Sequence, residues 1–125
     1  MRDIDRAAET LIRLRRHPSA PTVQVLPLGA WNPTGDVVVS TIPAAAQDDG
    51  LVTRCAGVPV VFDVVYDPWP TPLAVAAVAR GQVLVSGLDL LVHQAALQFA
   101  LFTGLAAPVG EMRAAGERAL SERGA

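Results

Sequence analysis

The fold is decided by one stretch of the sequence, which runs Phe62-Asp63-Val64-Val65-Tyr66-Asp67-Pro68-Trp69-Pro70-Thr71-Pro72-Leu73. The apolar residues before Tyr66 predict a buried strand. Thr71 and Pro72 predict the start of a helix, because threonine caps helices well and proline fits the first helical position. A strand that passes through a short turn into a helix is typical of α/β proteins.

Strands and helices alternate on both sides of this stretch. We predict strands at 22–26, 36–43, 58–65 and 83–85, and helices at 5–16, 44–56, 71–80, 89–103 and 109–122. The valine-rich segment 36–43 is typical of a strand buried on both faces of a parallel sheet. The sequence therefore predicts an α/β layer structure with a mostly parallel sheet and flanking helices. We expect residues 1–104 to form its main body and residues 105–125 to add a C-terminal helix to the same domain.

Composition excludes several classes of function. With 125 residues and a net charge of −2, the chain is large enough for one domain and has no charge excess that would favour nucleic acid. Charged and amide residues interrupt every long apolar run, and the N-terminus lacks the apolar core of a signal peptide, so we expect a cytoplasmic protein without a membrane segment. A single cysteine, Cys55, excludes an intrachain disulfide, and we predict no metal site.

A second informative segment runs from Ser86 to Gln94. Gly87, Leu90, Leu91 and Gln94 follow helical spacing, so they share one face and Gln94 presents an amide on that face. Ser86, Asp89 and His93 could instead suggest a small hydrolase. That alternative is weak, because the chain has no GxSxG turn and the three residues lie close together in sequence.

Four motifs together give the sequence a family resemblance. They are Met1-Arg2-Asp3 with Arg6, then Ser40-Thr41-Ile42-Pro43, then Asp63, Tyr66 and Thr71-Pro72-Leu73, and finally Gly87, Leu90, Leu91 and Gln94. With them the chain resembles the C-terminal, nucleotide-binding half of shikimate dehydrogenase. This resemblance implies a partial Rossmann-like fold, NADP as cofactor, and a part in reducing 3-dehydroshikimate to shikimate in aromatic amino-acid biosynthesis.

The resemblance also implies roles for particular residues. Cofactor contacts are expected at Arg2 and Arg6, which would grip the 2′-phosphate, and at Ser40, Thr41, Val64, Gly87 and Leu90. Tyr66 and Gln94 are expected to contact the shikimate-like substrate. No catalytic residue is expected in this chain. Two arginines at the start of one helix can form bidentate hydrogen bonds with a phosphate. They could instead form a solvated basic helix face.

Several features of the family pattern are missing. The chain has no lysine, although the family uses a lysine and an aspartate from an N-terminal substrate domain, and it has no glycine-rich turn for the pyrophosphate. Asp3 stands where the family has threonine, and a carboxylate there favours the free ribose hydroxyl of NAD. We therefore expect a truncated form of a longer reading frame, inactive alone and prone to self-association through exposed apolar surface. The alternative is a non-catalytic nucleotide-binding or structural module.

Overall fold

The computed structural model describes residues 7–19 and 21–123. The chain divides into two compact units with the bounds Met1–Asn32 and Pro33–Ala125. The first unit contains helix α1, Ala8–Arg15, with an exposed ion pair of 2.6 Å between Arg13 and Glu9. The strand predicted at 22–26 is wrong, because this segment is irregular. Its alternation of apolar residues resembles that of a strand, but a strand also needs a neighbouring strand for its backbone hydrogen bonds.

The second unit is built around a parallel sheet in the order β1-β2-β3, as the strand–helix alternation predicts. Its strands are β1 Val37–Ser40, β2 Val60–Asp63 and β3 Val83–Ser86, and its helices are α2 Asp49–Arg54, α3 Pro72–Ala79, α4 Gly87–Thr103 and α5 Val109–Arg123. The α/β prediction is confirmed. Within the described residues, no helix combines the length and apolarity needed to cross a membrane.

Only one face of the sheet is well covered. Val38 and Val61 are buried together with Leu73 and Ala77 of α3, whereas Val37, Val39 and Val83 are each more than half exposed. The prediction that the 36–43 strand is buried on both faces is therefore wrong. Consecutive valines suit a doubly covered strand, but they do not specify whether a second layer is present.

Local signals place the helix ends with good accuracy. The Thr71 side chain caps α3 by accepting a hydrogen bond from the Ala74 amide, and Gly104 ends α4 in the left-handed conformation at φ 70°. Helix α4 begins at Gly87, two residues before the predicted start, because Ser86 and Asp89 form a capping box. The segment 44–56 is broken into short turns around α2 rather than forming one helix.

Candidate functional site at the carboxyl edge of the sheet

The three strands end together at one edge of the sheet. Their last residues, Ser40, Asp63 and Ser86, are aligned in register across β1, β2 and β3. Open α/β sheets bind their ligands beyond this edge, because the loops that leave parallel strands meet there. The candidate site is therefore formed by two loops, 40–43 and 64–70, and by the first turns of α4. We call the two loops the Ser40 loop and the Tyr66 loop.

Asp63 is fully buried and holds the Tyr66 loop at both ends. Its Oδ2 accepts hydrogen bonds from the Thr71 hydroxyl at 2.7 Å and from the Gln47 amide at 2.9 Å. Its Oδ1 accepts one from the Val65 backbone N–H at 3.3 Å. Because Val65 lies near the start of the loop and Thr71 follows its end, the carboxylate fixes both points from which the loop projects.

Gln47 is a buried residue to which sequence reasoning assigned no role. Its amide nitrogen donates to the Ile42 carbonyl at 3.0 Å as well as to Asp63, and its amide oxygen accepts from the Leu73 N–H at 3.0 Å. It lies in an alanine-rich segment that carries no motif. No local pattern could have revealed contacts that reach 16 and 26 residues along the chain.

The two hydroxyl side chains predicted to contact a cofactor differ in accessibility. Ser40 is buried, and its hydroxyl accepts a hydrogen bond from the Ile42 N–H at 3.4 Å. The backbone carbonyl of Ser40 also accepts from the Val64 N–H at 3.0 Å, which joins the two loops where they leave the sheet. The Thr41 side chain is exposed. Thr41 is therefore the one of the pair whose side chain is open to a ligand.

Gly87 lets helix α4 approach the Tyr66 loop closely. A Cβ at this position would lie 2.7 Å from the Val64 carbonyl carbon and closer still to its oxygen, so any larger residue would collide with backbone. The space where a side chain would lie is occupied by the backbone of Val64. Leu90 and Gln94 lie on the exposed part of the same helix, on the face that their spacing predicts.

The start of α4 is bound to α5 through Asp89. Its Oδ2 accepts hydrogen bonds from the Ser86 N–H and hydroxyl, both at 2.7 Å, while its Oδ1 pairs with the Arg113 guanidinium at 2.5 Å. Burial alone would raise the pKa of Asp89, but the bonds from Ser86 and the Arg113 charge outweigh it and hold this pKa below its usual value. Ser86 and Asp89 thus serve as a helix cap rather than as parts of a hydrolase triad.

A groove of about 690 Å³ lies between the Tyr66 loop and α5. Its lining comprises Tyr66, Asp67, Pro68, Trp69, Ser86, Leu88, Arg113, Glu117, Leu120 and Ser121. Tyr66 thus faces a concave surface, whereas the lining does not include Gln94. Helix α5 packs closely against α4 at Gly116, where a Cβ would lie 2.5 Å from the Leu88 Cδ1.

Two further sequence expectations concern the remaining residues. Arg2 and Arg6 lie outside the described residues, so their predicted phosphate contact stays a prediction. Cys55 is buried, and burial raises the pKa of its thiol despite the opposing charges of Arg54 and Arg80. A thiol that stays protonated is a poor nucleophile and metal ligand. Among the described residues no group of His, Cys, Asp and Glu side chains is arranged to hold a metal ion.

Comparison with known proteins relates the chain to one family. A model described as the shikimate 5'-dehydrogenase C-terminal domain matches residues 87–115, which include all of α4 and the first part of α5. Shikimate dehydrogenase (NADP(+)) from Archaeoglobus fulgidus is 50% identical over 90 residues, which make up 68% of this chain and 34% of the relative. The chain corresponds to the C-terminal portion of shikimate dehydrogenase.

Solved shikimate dehydrogenases have the same fold in this region. The Mycobacterium fortuitum enzyme is 39% identical, with a TM-score of 0.73 over 91% of this chain and 43% of that one. The Thermus thermophilus enzyme, solved in complex with shikimate, is 28% identical, with a TM-score of 0.60 over 77% of this chain and 37% of that one. The chain thus spans about a third of the length of its shikimate dehydrogenase relatives.

Proposed function

We propose that this chain provides one wall of an NADP-dependent shikimate dehydrogenase, which reduces 3-dehydroshikimate to shikimate. The observation that carries the proposal is the edge where Ser40, Asp63 and Ser86 are aligned, in a chain that is 50% identical over 90 residues to an NADP(+) shikimate dehydrogenase. In this enzyme the bound nicotinamide supplies or accepts the hydride. The chain's own residues bind and orient the reactants.

The arrangement of exposed residues at the edge fits a dinucleotide. Thr41 of the Ser40 loop and Leu90 of α4 are exposed, and Gly87 lies directly against the Val64 carbonyl group. We assign Ser40, Thr41, Val64, Gly87 and Leu90 to the cofactor, with Arg2 and Arg6 for its 2′-phosphate. The Ser40 side chain is turned towards the Ile42 amide, so its contribution would be through the backbone.

The substrate side of the proposal rests on Tyr66, which lines the groove, and on Gln94, which is exposed on α4. A phenol hydroxyl and a primary amide can each donate to and accept from the hydroxyl and carboxylate groups of a shikimate-like acid. Since the chain contains no lysine, a lysine acid–base group for proton transfer must come from another polypeptide segment. The chain alone is therefore expected to bind its ligands but not to catalyse the reaction.

Cofactor titration tests the proposal directly. Trp69 belongs to the same loop as Val64, which we assign to the cofactor, so NADPH should quench tryptophan fluorescence and should bind more tightly than NADH. The double variant Arg2→Ala/Arg6→Ala should weaken NADPH about ten-fold and leave NADH unchanged, because only the 2′-phosphate contact is lost. The exposed helix residue Arg118→Ala is the control. The absence of any NADPH response in a folded sample would overturn the proposal.

We also propose that copies of the chain associate through α4. The side chains of Leu97, Leu101 and Phe102 are 69%, 83% and 86% exposed, and Leu105 follows them just beyond the helix. Two such surfaces facing each other would bury about 1,000 Å² in total, which is the range of a weak, reversible dimer. The surface carries no charged side chain, so a symmetrical pairing brings no like charges together.

A further inference from the structure

We propose that Gln47 is a positioning residue that sets the separation between the Ser40 loop and the Tyr66 loop. The inference deepens the proposed function and rests on it, because those loops carry the predicted contacts with the cofactor and the substrate. Gln47 itself is 5% exposed and contributes no contact to either ligand. Its effect would be on the geometry of both sites together.

The side chain of Gln47 uses both of its N–H donors and its carbonyl oxygen to bind three different segments. Ile42 belongs to the Ser40 loop, Asp63 ends β2, and Leu73 lies in the first turn of α3. A primary amide has two N–H donors and one carbonyl acceptor. Both donors and the acceptor of Gln47 are engaged, so the amide cannot follow one segment without changing its bonds to the others.

Gln47 extends the connection between the loops beyond the sheet. The strand ladder joins Ser40 to Asp63 and ends there, with one further backbone bond from the Val64 amide to the Ser40 carbonyl. Ile42 lies beyond the end of the ladder, and its carbonyl accepts a hydrogen bond from the Gln47 amide nitrogen. A shift of the Ser40 loop is thereby transmitted through Gln47 to Asp63.

Asp63 passes this constraint on to the Tyr66 loop. Its carboxylate holds the Val65 amide and the Thr71 hydroxyl, which lie at the two ends of that loop. Asp63 and Thr71 are fully buried, and a buried network of this kind is costly to leave partly satisfied. The loops are thus coupled through one chain of contacts, from the Ile42 carbonyl through Gln47 and Asp63 to Thr71.

The test compares Gln47→Met with Gln82→Met. Methionine keeps the length of glutamine but forms no amide hydrogen bonds. Gln82 precedes β3 at the opposite edge of the sheet, where its amide nitrogen donates to the backbone carbonyls of Cys55, at 3.0 Å, and Val58. Both variants lose side-chain hydrogen bonds to backbone carbonyls, but only Gln47→Met loses the connection between the two loops.

Hydrogen exchange of the ligand-free protein supplies the first readout. In Gln47→Met, amides of both loops should exchange about ten-fold faster than in Gln82→Met after correction for global stability. Faster exchange confined to Leu73, or equal exchange in the two variants, would overturn the inference. In the wild type, the amides of Ile42, Val65 and Leu73 should open with one common urea dependence, and three separate dependences would also overturn it. This second measurement needs no variant.

Cofactor titration supplies the second readout. Gln47→Met should raise the Kd for NADPH at least about five-fold above that of Gln82→Met, because misplaced loops lose ligand contacts. Equal affinities of the two variants, with a wild type that binds, would overturn the positioning role. If the wild type fails to bind NADPH while the loops still exchange together, the proposed function fails and the coupling through Gln47 stands.

Discussion

The Arg113 guanidinium lies 2.5 Å from the Asp89 carboxylate, so the last helix is held to the first turn of α4 by an ion pair. The pKa of Asp89 is lower in the folded chain than its ordinary value of 3.8. A carboxyl group with a lowered pKa stabilises the fold above its unfolded pKa, and this stabilisation is lost as the pH falls through the folded value.

Asp89→Asn should therefore lower the free energy of unfolding at neutral pH by about 1–2 kcal/mol, because the cap and the ion pair are weakened. The difference from wild type should shrink once the pH falls below about 3.8. Urea unfolding at several pH values measures it, with Glu122→Gln at the exposed end of α5 as the control. A difference that stays constant across this range would contradict the assignment.

Gly87→Ala should distort the candidate site. The new methyl group would meet the Val64 carbonyl group, so α4 or the Tyr66 loop must move, at a cost of about 1–3 kcal/mol. Gly110→Ala is a matched control, because a Cβ at that helix position meets nothing within 4 Å. Unfolding midpoints should fall for the first variant and stay level or rise for the second. Equal midpoints would show that the close approach is not needed.

Thr71→Val removes two hydrogen bonds and keeps the shape of the side chain. The hydroxyl donates to Asp63 and also caps α3, so we expect a loss of about 2–4 kcal/mol in the free energy of unfolding. Thr53→Val, on an exposed position of α2, should change stability by less than about 0.5 kcal/mol. Urea denaturation monitored by circular dichroism compares the two, and similar effects would argue against the buried network.

Leu101→Glu should abolish association through α4, since it places a charge in the centre of the exposed apolar surface. Sedimentation velocity over the micromolar range should show wild type becoming larger with concentration and the variant remaining monomeric. Val78→Glu, at an exposed position of α3, should leave the association unchanged. A wild type that stays monomeric, or a control that also dissociates, would count against this surface.

The sequence predicts those features that depend on neighbouring residues. The threonine and proline at 71 and 72 fix the start of α3, and Gly104 fixes the end of α4, because caps are local. Features that depend on groups far away along the chain cannot be predicted from the local sequence. The irregular course of 22–26 and the exposed sheet face depend on which neighbours are present.

The candidate site likewise has some features that the local sequence predicts and others that depend on tertiary contacts. The helical spacing from Gly87 to Gln94 fixes their common face in advance, and parallel strands imply a shared carboxyl edge. By contrast, the roles of Gln47 and Arg113 come from tertiary contacts across many residues, to Asp63 and Asp89 respectively. No motif in the sequence surrounds either residue.

The contact between Gly116 and Leu88 offers a means of redesign. Because α5 packs against α4 where a side chain is missing, any residue larger than glycine at 116 would require the Leu88 side chain or α5 to move. Leu88 also lines the groove, so replacing Gly116 by alanine would change the shape of the groove through the Leu88 side chain. The range of ligand sizes admitted beside Tyr66 could thus be tuned from a residue that no ligand would touch.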